Sequence, residues 1–186
     1  MTDYNNIDFH KFIDDSLDKT GYRMVTVTSE LINARLKDFM EFVNGVVSEY
    51  GDIYKWKPAD EAFFLNPMVD KWKYSFAVMD KEDNIHFLNF SSVYDDHIHN
   101  HCTFAGKSSR GKNFAKFQII KLCQTGLDNG FTYQEGYWPK NNNGSIILFL
   151  KMGWQITHIR NDMELGMSAD LEIVRNRTYD LVLSGK

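Results

Sequence analysis

The feature that most limits what this chain can fold into is a glycine-containing turn between a β-strand and an α-helix. We predict a strand for His97–Ala105 and a helix for Asn113–Asp128, because the second segment has apolar residues at helical spacing. The glycines of the turn let the backbone approach a ligand closely. The first N–H groups of a helix have no partner inside the helix, and with the helix dipole they attract anions. The turn is therefore predicted to bind an anion, and its shape suits a diphosphate.

The same turn contains Gly106-Lys107-Ser108, which resembles the end of a nucleotide-binding P-loop. That motif requires a glycine five residues earlier, where this chain has His101. A P-loop is therefore excluded.

The remaining elements place this junction within a larger sheet. Further strands are predicted at 23–28, 74–79, 85–90, 131–138, 155–160 and 179–183, and further helices at 29–51 and 142–151. Ser29 is the expected N-cap of the first of these helices. Several consecutive strands followed by alternating helices and strands predict a mixed α/β sheet with helices on both faces.

Composition excludes several classes of protein. Hydrophobic residues make up 43% of the 186, enough for one core without metals or disulfides, and the two cysteines lack CxxC spacing. The net charge of −4 and the absence of a Lys/Arg run argue against nucleic-acid binding. The polar, acidic start does not resemble a signal peptide, and no apolar run is long enough for a membrane span. We predict a cytoplasmic protein, a monomer or homodimer, with no nucleic-acid or membrane partner.

Two motifs, one in the glycine-containing turn and one further along the chain, resemble motifs of the GNAT superfamily of N-acetyltransferases. The family signature Arg/Gln-x-x-Gly-x-Gly/Ala corresponds to Arg110-Gly111-Lys112-Asn113-Phe114-Ala115, with Asn113 in place of the middle glycine. A second motif corresponds to Asn142, Ser145 and the segment Phe149-Leu150-Lys151-Met152-Gly153-Trp154. One helix and one strand separate the two motifs, as in the family.

The resemblance implies a seven-stranded, mostly antiparallel sheet that splits between its fourth and fifth strands, with acetyl-CoA as co-substrate in the split. It divides the chain into an N-terminal extension, 1–22, and a single GNAT domain, 23–186. Carried over by position, backbone groups of Thr103 and Ala105 would hold the thioester and pantetheine arm. Backbone N–H groups from Arg110 to Ala115 would hold the diphosphate. Asn142 and Ser145 would line the cofactor, and we expect the Asn113 substitution to matter little if that residue is helical.

Three alternating histidines, His97, His99 and His101, precede the turn. In a strand they share one face about 6.6 Å apart, so they can pass a proton through water. Acylation of an amine requires its neutral form, and histidine is the side chain that titrates nearest neutrality. Arylalkylamine N-acetyltransferases, to which the spacing is similar, carry a His pair eleven and nine residues before the signature arginine, here His99 and His101. These two are the predicted catalytic residues.

Other interpretations of the histidines and their neighbours stay open. The histidines can instead form a polar strand face, or bind a metal; because no third-ligand pattern is visible, no metal site is assigned. Phe149 stands where many GNAT enzymes carry a proton-donating tyrosine. Water, Tyr133 or Tyr137 would replace it, or CoA would leave as a thiolate. Glu135 is a possible base or ammonium ligand, or simply an exposed carboxylate.

The resemblance favours transfer of an acetyl group from acetyl-CoA to a primary amine of a small molecule. A longer-chain N-acyltransferase and a non-catalytic acyl-CoA binder are the alternatives. Four large aromatic residues occupy the region where the family binds its acceptor, and they form either an acceptor pocket or core: Trp56, Phe63, Phe64 and Trp72.

Overall fold

The computed structural model describes residues 2–185. The first residue of the predicted extension, Met1, and the last residue of the predicted domain, Lys186, lie outside the described residues. In chain order the elements are α1 (Phe9–Asp18), β1 (Tyr22–Thr26), α2 (Ser29–Tyr54), α3 (Glu61–Leu65), α4 (Lys71–Tyr74), β2 (Phe76–Asp80), β3 (Ile85–Tyr94), β4 (His97–Ala105), α5 (Phe114–Asp128), β5 (Tyr133–Pro139), α6 (Asn143–Lys151), β6 (Gln155–Ile159), β7 (Glu164–Asp170) and α7 (Leu171–Leu183).

The strands form one seven-stranded sheet in the order β1-β2-β3-β4-β5-β7-β6. Neighbouring strands are antiparallel except β4 and β5, which run parallel. The predicted mixed α/β fold with a mostly antiparallel seven-stranded sheet is confirmed.

Helices cover both faces of this sheet, as the alternation along β2 demonstrates. Ala77 and Met79 pack in a cluster with α2 and α3, whereas Phe76 packs in a cluster with α5, α6 and α7. Val78 lies in a third cluster, to which α1 contributes Phe9, Ile13 and Leu17, and which also contains apolar residues of α5. Side chains of a strand alternate between faces, so α2 and α3 cover one face and the other helices named here cover the opposite one.

Helix α1 lies within the segment predicted as an N-terminal extension, and Phe9, Ile13 and Leu17 are buried at helical spacing. Asp8 caps it, because the Asp8 carboxylate accepts a hydrogen bond from the Lys11 N–H at 2.9 Å. The apolar side of α1 is buried against α5. Whether residues 1–22 act as a separate extension of one domain stays a prediction.

The ends of α2 differ from those predicted. Thr28, not Ser29, is the N-cap: its backbone is extended and its hydroxyl accepts from the Leu31 N–H at 3.1 Å. The helix continues past Gly51 to Tyr54 and ends at Lys55, which has a left-handed backbone. A single glycine inside a helix costs only about 1 kcal/mol, which 26 residues of packed helix easily tolerate.

The predicted strand at 179–183 is wrong, because this segment belongs to α7. Asp170 caps that helix by accepting from the Ile173 N–H at 2.9 Å, and Leu171, Val174 and Thr178 are buried at helical spacing. The last strand is β7, which the sequence did not indicate, because Glu164–Asp170 contains no β-branched residue. In residues 2–185 no helix is both long and apolar enough to cross a bilayer.

Candidate active site

The sheet opens between its two parallel strands. β4 and β5 pair only through Ile98–Gln134, His99–Glu135 and Asn100–Gly136. From His101 onward β4 has no residue of β5 opposite it, so one edge of its backbone is unpaired in the middle of the sheet. An unpaired strand edge can hydrogen-bond an extended ligand as an additional strand would.

A β-bulge lies at the point where the strands separate. Phe90 pairs with Cys102, whereas the next residue, Ser91, pairs with Asn100, so His101 is an extra residue in β4. Ile98 packs in the cluster of α5 and α7, but Cys102 packs towards the cluster of α2. The bulge therefore changes which residues of β4 face α2.

A buried asparagine, Asn89, holds this bulge in place. Its side-chain amide donates to the Asn100 side chain at 2.8 Å, the Cys102 carbonyl at 3.2 Å and the Thr103 hydroxyl at 3.1 Å. Sequence reasoning missed Asn89. The available signal was a set of polar residues, Asn89, Ser91 and Ser92, inside an otherwise apolar strand.

The three histidines lie together, as their alternation predicts. Ring centroids are 6.5 Å apart for His97 and His99 and 4.7 Å apart for His99 and His101. Nδ1 of His99 is 3.1 Å from Oε1 of Glu135, and Nε2 of His101 is 2.6 Å from the Ser92 hydroxyl. Glu135 is thus a partner of the histidines rather than an isolated surface carboxylate.

The surroundings of two of these imidazoles favour the neutral form. Burial lowers the pKa of His101 to about 4, with smaller contributions from His99 and Lys71. Burial also lowers the pKa of His99, although the hydrogen bond to Glu135 favours the protonated form. Each neutral imidazole has one nitrogen that can accept a proton.

Tyr137 and Arg160 form the side of this cluster nearest β6. The Tyr137 ring is 5.5 Å from the His99 ring, and the Arg160 guanidinium lies 4.1 Å from the Tyr137 centroid. Tyr133 contacts His97 instead, at 5.8 Å. Of the two tyrosines suggested as proton donors, Tyr137 is the one beside a predicted catalytic residue.

The predicted anion-binding turn has two residues with left-handed backbone. Gly111 has φ +74° and Asn113 has φ +61°, so the helix begins at Phe114 and Asn113 is its N-cap. The expectation that Asn113 would be helical is wrong. Asparagine is one of the few residues other than glycine that tolerate this region, which explains how it replaces the glycine of the signature. The Asn113 side chain makes no capping hydrogen bond to α5.

Cationic side chains surround the turn. Arg110 pairs with Glu49 of α2 at 2.8 Å and lies over the Tyr50 ring, and Lys107 is 3.7 Å from Glu49. Lys112 contacts the hydroxyl and the ring of Tyr22. The Arg110 side chain is 61% exposed, so this ion pair is weak and can rearrange around an anion.

The remaining predicted cofactor residues lie on both sides of the opening. Thr103 and Ala105 belong to the unpaired part of β4, while Phe114 is 2% exposed and Ala115 packs beside it. Asn142 is the N-cap of α6, where its side chain accepts from the Ser145 N–H at 3.3 Å. The helix therefore begins at Asn143, and Tyr54 of α2 reaches Asn142 at 3.4 Å.

Phe149 lies in the core and contributes no polar group to the opening. It is 5% exposed, and its ring packs against Trp138 at 4.6 Å and Trp154 at 5.2 Å. The aromatic residues proposed for an acceptor pocket are mostly core as well. Phe64 is fully buried and Trp56 and Trp72 pack against the α2 cluster, whereas Phe63 is 37% exposed and lines a shallow cavity with Pro67.

Lys71 is a buried cation that sequence reasoning did not single out. It is 2% exposed, and its ammonium donates to the carbonyls of Phe64 at 2.7 Å and Asn66 at 3.2 Å. Burial lowers the pKa of Lys71. Its contacts fix the loop after α3.

The sequence matches no protein-family model, and no curated protein is similar to it in sequence. Its structure is similar to solved acetyltransferases. The ribosomal-protein-S18-alanine N-acetyltransferase of Escherichia coli aligns with TM-score 0.67 at 10% identity, covering 81% of this chain and 94% of that one. A GNAT superfamily phosphinothricin acetyltransferase of Sinorhizobium meliloti, in complex with acetyl-CoA, gives TM-score 0.62 at 14% identity, covering 81% and 88%. The PaiA N-acetyltransferase of Thermoplasma acidophilum, in complex with coenzyme A, gives 0.61 at 10%, covering 80% and 98%.

At these identities the similarity establishes architecture. The chain therefore has the fold of the GNAT N-acetyltransferases.

Proposed function

We propose that this chain is a GNAT enzyme that transfers the acetyl group of acetyl-CoA to a primary amine of a small molecule. The observation that carries the proposal is the unpaired edge of β4, which leads directly into the cationic turn before α5. An extended pantetheine arm needs backbone partners, and a diphosphate needs N–H groups and positive charge. Two of the structurally similar acetyltransferases are complexes with coenzyme A or acetyl-CoA.

In this proposal backbone groups of Thr103 and Ala105 bind the pantetheine arm, and the backbone from Arg110 to Ala115 binds the diphosphate. Arg110 exchanges its exposed pairing with Glu49 for the phosphates. Asn142 and Ser145 border the cofactor from the opposite side of the opening. The thioester then lies near His101, the first residue beyond the last β4–β5 pair.

The chemistry is direct attack of the neutral amine on the thioester carbonyl. The new C–N bond forms as the C–S bond breaks, and the amine loses one proton. His99 accepts that proton directly or through His101, and Glu135 stabilises the resulting imidazolium at 3.1 Å. The sulfur leaves as a thiolate or takes a proton from Tyr137 or water; Phe149 has none to give.

Cofactor binding and turnover are tested separately. Acetyl-CoA should raise the melting temperature by mass action, and replacing Gly111 or Ala115 with a bulky residue should weaken its binding sharply. Unchanged affinity in both variants would show that the cofactor binds elsewhere.

A thiol-release assay over amines, amino acids, aminosugars and polyamines then identifies the acceptor. An acyl-CoA chain-length series distinguishes the longer-chain alternative, and CoA binding without any turnover would favour the non-catalytic binder.

The proton-transfer role has its own test. Replacing His99 and His101 together by glutamine should lower turnover by about 10²–10⁴-fold at pH 7, with little change in CoA affinity. The loss should shrink at high pH, where the amine deprotonates by itself. His10→Gln, on α1, is the matched control, and a double variant with full turnover at pH 7 would remove these residues from the mechanism.

A further inference from the structure

Three potential metal ligands converge beside the opening of the sheet. His97, His99 and Glu135 each offer one ligand atom, and these three atoms lie within 4.8 Å of one another. The nitrogens paired with Glu135 are Nε2 of His97 and Nδ1 of His99. Oε1 of Glu135 is 3.3 Å from the His97 nitrogen and 3.1 Å from the His99 nitrogen. The side chains are well enclosed, since the two histidines are 13% exposed and Glu135 is 24% exposed.

The pairing of β4 with β5 positions these three side chains. His97 and His99 share a face of β4, and Glu135 pairs directly with His99 in the part of β5 that is still hydrogen-bonded to β4. The third ligand thus comes from a strand 36 residues away along the chain. The sequence could not reveal it, and for that reason no metal was assigned there.

The two separations that involve Glu135 fit a tetrahedral ion. Metal–nitrogen and metal–oxygen bonds of about 2.0–2.2 Å place neighbouring ligands of a tetrahedron about 3.3–3.5 Å apart. The two measured separations, 3.3 and 3.1 Å, are close to that edge length. Two imidazoles and one carboxylate are also the donor set of many zinc sites that keep one position open.

A further observation concerns His97. Its Nε2 is buried and makes no hydrogen bond within residues 2–185, although Glu135 is only 3.3 Å away. The ring's other nitrogen, Nδ1, is 3.3 Å from a carboxylate oxygen of Asp96. Metal-binding histidines commonly contact a carboxylate through the nitrogen that faces away from the ion.

We propose that His97, His99 and Glu135 form a binding site for a divalent transition-metal ion, with Zn²⁺ as the best match. Imidazole and carboxylate donors in this geometry select Zn²⁺ over Mg²⁺ or Ca²⁺, which require more oxygen ligands. Bound metal would occupy His99 and Glu135 together. If the proposed function holds, Zn²⁺ would therefore inhibit the transferase by removing its proton acceptor.

The test measures binding of Zn²⁺ alone to the full chain, without any activity assay. After chelator treatment, calorimetric titration should show one site in the wild type. His97→Gln and Glu135→Gln should each weaken it at least 10-fold, the lower limit for losing even an outer-shell partner. His101→Gln, on the same strand but outside the ligand set, is the matched control and should bind as the wild type does. Circular dichroism verifies that each variant is folded.

A spectroscopic measurement keeps the test valid if a variant fails to fold. Co²⁺ added to the wild type should give the visible absorption of a tetrahedral site, and Zn²⁺ should displace it. Failure of the wild type to bind either ion would overturn the proposal, as would equal affinity in the folded His97→Gln and Glu135→Gln variants. Zn²⁺ sensitivity of turnover is measured separately, so that an inactive protein leaves the binding result intact.

Discussion

Single residues with unusual backbone or buried polarity determine the geometry of this site. Asn89 is fully buried in β3, and its side-chain amide donates hydrogen bonds to Asn100 and Cys102, the residues on either side of the extra residue His101. The bulge adds His101 to β4 at the point where this strand leaves β5, and the His101 ring lies 4.7 Å from that of His99. One polar side chain in a core strand therefore supports the arrangement of two proposed catalytic residues.

Asn113 makes a residue-scale prediction about the anion-binding turn. Its φ of +61° suits glycine or asparagine, whereas alanine there costs roughly 1–2 kcal/mol. Asn113→Ala should lower the free energy of unfolding by about that amount and weaken CoA binding. Asn113→Gly, the residue of the family signature, should change both much less. Urea denaturation and a CoA titration measure the two effects, and equal behaviour of the variants would contradict the role of the left-handed backbone.

Asp80 makes a residue-scale prediction about pH. Its carboxylate is 2.8 Å from Nε2 of His86 and accepts from the Asn84 N–H, also at 2.8 Å, and these contacts hold the pKa of Asp80 well below its usual range. Because the folded pKa is lower than the unfolded one, the stabilisation is complete above about pH 4 and is lost as pH falls through the folded pKa. The free energy of unfolding should therefore fall more steeply below pH 4 in the wild type than in Asp80→Asn.

Urea titrations between pH 7 and pH 2 measure this difference. The exposed carboxylate of Asp14 provides the control, and Asp14→Asn should retain the wild-type pH dependence. If the free energy of unfolding falls equally with pH in the wild type and in Asp80→Asn, the contacts of Asp80 in the turn between β2 and β3 do not cause the loss of stability at low pH.

At the scale of secondary structure, the decisive feature is the short pairing between β4 and β5. Only three residue pairs join these strands before they diverge. Gly136 lies at the last pair, where a Cβ atom would be 2.9 Å from the Asn100 carbonyl oxygen and 3.0 Å from the Trp138 ring. A side chain at this position would push apart the strands that hold Glu135 beside His99.

Gly136→Ala should therefore lower the free energy of unfolding by about 1–3 kcal/mol, the usual cost of overpacking a core, since a backbone atom is in the way. Gly144, exposed in the first turn of α6 with no atom within 4 Å of its would-be Cβ, is the matched control. Gly144→Ala should be neutral or stabilise by up to about 1 kcal/mol. Chemical denaturation measures the free energy of unfolding of both variants. An unchanged value for Gly136→Ala would show that β4 and β5 can move enough to accommodate the methyl group.

At the scale of the whole molecule, α1 closes the core on the face opposite α2. Phe9, Ile13 and Leu17 are buried with Phe114 and Phe117, the residues that begin the helix after the anion-binding turn. The Tyr179 ring of α7 packs on Phe12 at 4.7 Å, which joins the two ends of the chain. We propose that α1 unfolds together with the sheet rather than as an independent extension.

Leu17→Ala tests this proposal. The side chain is fully buried, so its truncation should destabilise the whole protein by about 2–5 kcal/mol, with one cooperative transition. Asp14→Ala, on the exposed side of the same helix, should stay within about 0.5 kcal/mol of the wild type. Two probes should report the transition: far-ultraviolet circular dichroism for the helices, and fluorescence for the buried Trp154. A large loss seen for α1 alone, with the sheet unaffected, would support a separate extension.

Features that depend on local chemistry could be predicted from the order of the amino acids. The helix after the glycine turn and the shared face of His97, His99 and His101 follow from side-chain periodicity, which is a property of neighbouring residues. The mixed α/β architecture could be predicted for the same reason. Strand β7 could not, because Glu164–Asp170 contains no β-branched residue. Helix α7 could not, because Tyr179–Leu183 has a strand-like composition; in the folded chain Leu171 and Val174 of this helix are buried in the core cluster.

Contacts between residues far apart along the chain depend on how the elements pack, and the sequence did not predict them. The pairing of His99 with Glu135, the bulge held by Asn89 and the ion pair between Glu49 and Arg110 join residues 36, 13 and 61 positions apart. Periodicity within one segment contains no information about the register between two segments. The partners of the histidines, and with them the proposed metal site, therefore emerge only when the chain is folded.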